Sequence, residues 1–173
     1  MDDTTNAQSF GREILESLDR EFARLHLRSR KIIERTPPEL LYRAGNGDLE
    51  FPGTSSRSVG ECILRAAAAI EQTFGGITSN LWDDPFEWTL PEFLTTPGKV
   101  LEHLEEVEAT RRRAFSSFAD DQCLRKRVAT PAQETEVLIS LLLGTLVRAI
   151  SFQTQGALTL KSLSGISVTG FII

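Results

Sequence analysis

Hydrophobic positions recur along this chain at three- and four-residue intervals in four separate runs. Phe10, Ile14, Leu18, Phe22, Leu25, Ile32 and Ile33 form the first, closed by Thr36-Pro37-Pro38. Their spacing predicts a helix over 8–35, because such intervals bring side chains onto one face at 3.6 residues per turn. Ser58-Val59-Gly60-Glu61 has the form of a capping box and precedes Val59, Ile63, Ala66, Ile70 and Phe74. This predicts a second helix over 58–75, which Gly75-Gly76 should stop. Thr96-Pro97 opens a third over 97–119, with Val100, Leu104, Val107, Ala114, Phe115 and Phe118 inward. The fourth is expected over 131–163: Thr130-Pro131-Ala132-Gln133 offers a cap with proline at the first helical position, and apolar residues run from Val137 to Phe152 almost without relief. Its polar stripe of Ser140, Gly144, Arg148, Ser151 and Gln155 spans an arc of only roughly 80°. Most of that helix must therefore be covered.

The connections over 37–57 and 77–95 are rich in proline, glycine and aromatic residues and carry no strand pattern. Each is longer than the 2–8 residues, roughly, that join antiparallel neighbours, so at least one should cross over the bundle. The expected fold over 1–173 is a single all-α domain, a four-helix bundle with two long connections. The second connection holds Trp82, Phe86, Trp88 and Phe93 and reads as a lid over one end.

At 173 residues and 40% hydrophobic, the chain can bury a core without disulfide or metal. A net charge of −5 and a pI near 5.2 argue against a nucleic-acid or anionic-lipid partner, which needs clustered excess cations. Arg111-Arg112-Arg113 follows Glu102, Glu105, Glu106 and Glu108 and reads as the charged end of a helix. The residues before Ala7 carry no secretory or transit pattern, and Ser140, Gly144, Thr145 and Arg148 interrupt the last apolar run. A cytoplasmic protein that does not span a membrane is expected. Cys62 and Cys123 are isolated, as reduced thiols are. Gly45-Asn46-Gly47 is a turn, since no buried strand precedes it to make a phosphate loop. His26 sits at the edge of the first apolar stripe beside Ser29, a small polar gap facing inward. Arg111 falls inside the third stripe, where a guanidinium needs either a carboxylate such as Glu108 or a wet internal pocket. His103 lies on the flank of that helix.

The stretch Ser58 to Glu71, S-V-G-E-C-I-L-R-A-A-A-A-I-E, resembles the second helix of the DinB/YfiT-like superfamily, and Gly165-Ile166-Ser167-Val168 resembles that family's closing G-I-P-V. The resemblance covers most of the chain. It implies an up-down-down-up bundle, often a homodimer, in which one histidine on the second helix and an H-x-x-x-H pair on the fourth hold a divalent metal, with relatives that transfer low-molecular-weight thiols or hydrolyse their adducts. Here the first ligand position falls at Arg65, or at Cys62 if the register slips, and the pair falls among Ala149, Ile150, Ser151, Phe152 and Gln153. Arginine has no free lone pair to offer, so neither metal nor other cofactor is expected. Two readings of function follow. One is a metal-free bundle binding a small anionic ligand in a pocket lined by Cys62, Arg65, Arg111 and Arg148 and roofed by Trp82 or Trp88. The other is a thiol-dependent S-transferase or hydrolase working without metal through Cys62, which lies near Arg65, or through the Arg65, Arg111 and Arg148 set. The excess apolar surface of the fourth helix, with Leu27 and the tail from Ile166 to Ile173, predicts a homodimer.

Overall fold

The computed structural model describes residues 11–45, 57–84, 93–130 and 134–168. Four α-helices dominate it: α1 (Glu13–Glu34), α2 (Val59–Ser79), α3 (Pro97–Ser117) and α4 (Leu138–Ser164). Short 3-10 turns occupy Pro38–Leu40 and Asp121–Arg125, and two strands, β1 (Arg127–Ala129) and β2 (Thr135–Val137), pair antiparallel.

Two helix starts follow local sequence. Ser58 and Glu61 form the reciprocal capping box, and Thr96 accepts from the Lys99 amide at 3.3 Å with Pro97 at the first helical position. The start of α1 is capped from afar. The Asp121 carboxylate accepts from the Ile14 and Leu15 amides at 3.1 and 3.0 Å, while Arg12 donates to the carbonyls of Phe118 and Ala119. A negative charge at a helix N-terminus satisfies two orphan donors and favours the helix dipole, so this one aspartate ties the start of α1 to the 3-10 turn that follows α3.

Two expected boundaries are corrected. Gly75-Gly76 does not stop α2, which continues to Ser79 and ends on Asn80 in the left-handed region at φ 55°. The glycines serve the chain that doubles back: a Cβ on Gly76 would lie 2.4 Å from the Trp82 ring, a separation no side chain tolerates. Thr130 does not cap α4 either. Its amide and hydroxyl both donate to the Glu134 carbonyl at 3.0 Å, closing a hairpin. Residues 131–133, which hold the expected proline start, lie outside the described residues. β-branched Val128, Thr135 and Val137 favour the paired strands, and α4 begins only at Leu138, whose amide donates to Lys126 O at 2.9 Å.

The helices meet through specific pairs. Phe22 of α1 stacks edge-on against Phe74 of α2 at 5.1 Å, and Phe115 of α3 tilts against Phe74 at 5.4 Å. The α2–α4 seam is close where residues are small: a Cβ on Gly156 would stand 3.1 Å from Cys62 Cβ. Further along the same seam the Thr73 and Thr145 hydroxyls bond at 2.7 Å. Gln153 of α4 donates to Leu25 O and Ser29 Oγ of α1, both at 2.7 Å, and so fills the polar gap read beside His26.

Candidate functional site

An open cleft of about 1220 Å³ lies between the second halves of α2 and α3, the 3-10 turn after α3 and the hairpin. Its apolar lining includes Phe118, Val128 and Leu138, and its charged lining includes Glu71, Arg113, Lys126 and Arg127. Each cation arrives by a different route. Arg113 projects from α3 and donates to Thr110 Oγ1 at 3.2 Å, one turn back. Arg127 is braced across the hairpin on Thr135 Oγ1 at 2.9 Å. Lys126 is set by the turn that closes when its amide donates to Cys123 O at 2.9 Å. Cys123 lines the cleft but is itself buried; burial pushes its thiol up, against the pull of Lys126.

Glu71 of α2, which lines the cleft, meets His103 of α3, which does not. Glu71 Oε2 and His103 Nε2 stand 3.8 Å apart, both buried and both without a hydrogen-bond partner among the described residues. Burial raises the Glu71 carboxyl above the ordinary range; His103 works against that rise and the Glu106 carboxylate adds to it.

A second polar cluster lies deeper. Arg111 donates to both Glu108 oxygens, at 2.8 and 2.7 Å, and to Asp19, while Arg112 donates to Glu108 at 2.7 Å. Of the two destinations open to Arg111, the carboxylate is realised. Burial alone would raise Glu108, but the hydrogen bond and charge of Arg111, then Arg112, outweigh it and hold the carboxyl low. Beside the cluster His26, Ser29 and Glu108 line a void of about 20 Å³, room for roughly one water. Burial lowers the His26 pKa below its usual 6.5 despite the nearby Glu108 and Glu105 carboxylates.

The expected site residues do not gather. Cys62 is 0% exposed, packed on Gly156 near the start of α2. Trp82 lies over Gly76 near the other end, and at 1.5 Å rise per residue those positions are roughly 20 Å apart along the helix. Arg65 is half-buried, Arg148 is exposed on α4 and Arg111 is inside its carboxylate cluster. Trp88 lies outside the described residues. Arg113, Lys126, Arg127 and the Glu71–His103 pair were not selected from sequence; Glu71, His103 and Arg113 signal only as flank positions beside an apolar stripe, and Lys126 and Arg127, in a turn and a strand, do not signal even that.

Burial pushes the Cys62 thiol up to about 11, leaving roughly one part in a thousand as thiolate at pH 8. Cys62 should therefore resist iodoacetamide in the folded protein and react once urea unfolds it. Peptide mass mapping checks this, and labelling of native protein at the rate of free cysteine would refute it.

The metal implied by the family resemblance does not fit. Ala149 and Gln153 are the i, i+4 pair of the expected window and both are buried, but alanine has no donor and the Gln153 amide is committed to α1. The described residues hold no group of three or more His, Cys, Asp or Glu able to bind a metal ion. No protein-family model, curated protein or solved structure matches the chain.

Proposed function

We propose that this chain is a metal-free, cytoplasmic, small-ligand-binding protein built as an up-down-down-up four-helix bundle of the DinB/YfiT-like kind. The observation that carries the binding role is the cleft with Arg113, Lys126 and Arg127 on its walls. Three cations against two carboxylates, Glu71 and Asp83, leave the lining net positive in a chain of −5 overall, which favours an anionic ligand held by charge-assisted hydrogen bonds over an apolar floor. The pairs Cys62–Gly156 and Thr73–Thr145 support α2 running opposite to α4. Arg12–Phe118, Asp19–Arg111 and Arg30–Glu105 support α1 running opposite to α3, and Leu25–Gln153 with Arg35–Ser167 supports α1 running with α4. The anionic dye 8-anilinonaphthalene-1-sulfonate should bind saturably, and Arg113→Ala/Lys126→Ala should weaken it at least about tenfold with unchanged circular dichroism. Equal binding by both proteins would remove the cleft as the site. Near one equivalent of zinc, nickel or iron surviving dialysis would overturn the metal-free reading.

One observation keeps a thiol-dependent transferase in view as a second reading: Cys123 lines the cleft. Cys62, sealed against α4, has no access for a substrate. Adduct formation with glutathione, cysteine or bacillithiol that survives Cys62→Ala and is lost in Cys123→Ala would favour the transferase.

A homodimer through α4 belongs to the same proposal. Leu143, Val147, Ile150 and Leu158 are 48%, 64%, 44% and 46% exposed, and their spacing sets them along one side of the helix. Gly144 lies among them with open space around its Cα, and Ile14 of α1 and Leu143 line one shallow groove. Among the described residues α4 is also the one helix long and apolar enough to cross a membrane. We read that length as a core helix burying one face on α1 and α2 and the other on a second copy. Sedimentation at micromolar concentration should give a dimer, and Val147→Glu should weaken self-association at least about tenfold, since a charge would be placed in the apolar seam. A wild-type monomer that stays monomeric as concentration rises would sink the dimer.

A further inference from the structure

We infer that the anion taken by this cleft also carries an ammonium group: its acidic end lies against Arg113, Lys126 and Arg127, and its amino end against Glu71 and Asp83. The inference rests on the cleft being the binding site and narrows what it takes. Its basis is a set of opposite charges that share one volume and do not meet. All five side chains line the cleft, yet among the described residues no ion pair joins any of the three cations to either carboxylate. Elsewhere on the chain cations close on their acids, as Arg30 does on Glu34 and Glu105 and Arg111 on Glu108. Here the walls hold them apart.

Each sign has its own wall. The cations come from α3, the turn after it and β1, where Arg113 leans on Thr110 and Arg127 on Thr135, acceptors that leave the guanidinium charge uncompensated. The carboxylates come from α2 and the chain that leaves it. Gln72 donates to Trp82 O at 2.9 Å, which returns the backbone entering Asp83 to the residue beside Glu71. Asp83 is exposed. Glu71 keeps Oε2 closed, but its side chain is 37% exposed, so Oε1 is the oxygen it presents. Burial raises the Glu71 carboxyl, and His103, none of the three cleft cations, is the group that works against the rise; the cations stand too far off to offset its charge. A plain anion answers one wall and is repelled by the other. An ammonium on the same molecule turns that repulsion into a charge-assisted hydrogen bond. Three cations against two carboxylates also match an acidic end that outweighs the amino end, as in an aminoalkyl phosphate.

Isothermal titration with two matched pairs tests this: 3-aminopropyl phosphate against propyl phosphate, and 5-aminopentanoate against pentanoate. The first pair reports a phosphate head and the second a carboxylate head. In at least one pair the amino member should bind about tenfold or more tightly than the plain anion. The matched amine, propylamine or pentylamine, should bind at least about tenfold more weakly than the compound that carries both groups. Asp83→Asn and Glu71→Gln should each reduce the preference for the amino member, and the double variant should abolish it. Neither change should weaken the plain anion, from which a repelling charge has been removed. This double difference cancels any general effect of the variants on the cleft, whereas carboxylates with a purely structural role would weaken both members alike. No preference in either pair, preference retained in the double variant, or equally tight binding of the matched amine overturns the inference. If none of these compounds binds while the dye still depends on Arg113 and Lys126, the inference fails and the cleft stands; if the dye ignores those residues, the cleft reading fails first.

Discussion

Glu108→Leu should destabilise the protein by about 3–5 kcal/mol, the usual cost of removing one member of a buried ion pair. Arg111 is 3% exposed and Glu108 4%, so neither water nor a rotamer change can rescue the guanidinium once its bidentate carboxylate is gone. Asp19 remains, but its side chain is 44% exposed and it contacts one end of the guanidinium. Replacing both members, Glu108→Leu with Arg111→Met, should cost far less than the single change, because no buried charge is then left over and similar volume is kept. Urea unfolding of the two variants measures the contrast; a single variant within about 1 kcal/mol of wild type would show that solvent reaches this cluster. The same residues set an acid limit. Glu108 is held below its ordinary 4.5 in the folded state, so its contribution is present above 4.5 and is lost as pH falls through the folded value. The neutral form of His26 is favoured by burial, so its contribution is present above 6.5 and is lost as pH falls through its own lower folded value. The double variant should lose the lower step and keep an upper one.

The helical cores were legible because their signal is periodic and local. Phe22, Phe74 and Phe115 fall on three separate stripes, each readable within a few turns, and they meet as those stripes require. Ser58–Glu61 and Thr96–Pro97 were legible for the same reason, since a cap is written within four residues. The Gly75-Gly76 pair misled because glycine marks both an end and a close approach; only the position of Trp82, six residues past Gly76, separates the two. Thr130 misled because a cap and a hairpin corner use the same residue types, and the pairing of Arg127 with Val137 decided between them. The site was the least legible part. Cys62 and Arg65 looked like a site because they are three residues apart, but Gly156, far along the chain, seals the thiol. Glu71 and His103 share no local pattern at all. Their meeting depends on how α2 and α3 pack, and no window of sequence contains it.

Phe74→Ala should cost about 3–5 kcal/mol, in the range for deleting a large aromatic side chain from a core. Three features put it toward the upper end. Phe74 is 0% exposed. It touches Phe22 edge-on and Phe115 at a tilt, and each such pair is worth about 0.5–1.5 kcal/mol beyond area. It also stands where α1, α2 and α3 converge, so collapse around the hole would have to move three helices that are tied elsewhere, by Asp121 at the start of α1 and by the Glu108 cluster on α3. At roughly 2–4 °C per kcal/mol for a chain of this size, the melting temperature should fall by roughly 6–20 °C. Phe74→Leu, which restores most of the volume, should lose markedly less. The effect should also reach the cleft. Phe115 packs against Phe118 at 5.7 Å, and Phe118 lines the cleft, so loosening the aromatic column removes support from the binding floor. Dye affinity measured well below the melting temperature should drop in Phe74→Ala although no cleft residue has changed. An alanine variant that loses less than about 1 kcal/mol would mean that the three phenylalanines do not form one packed column.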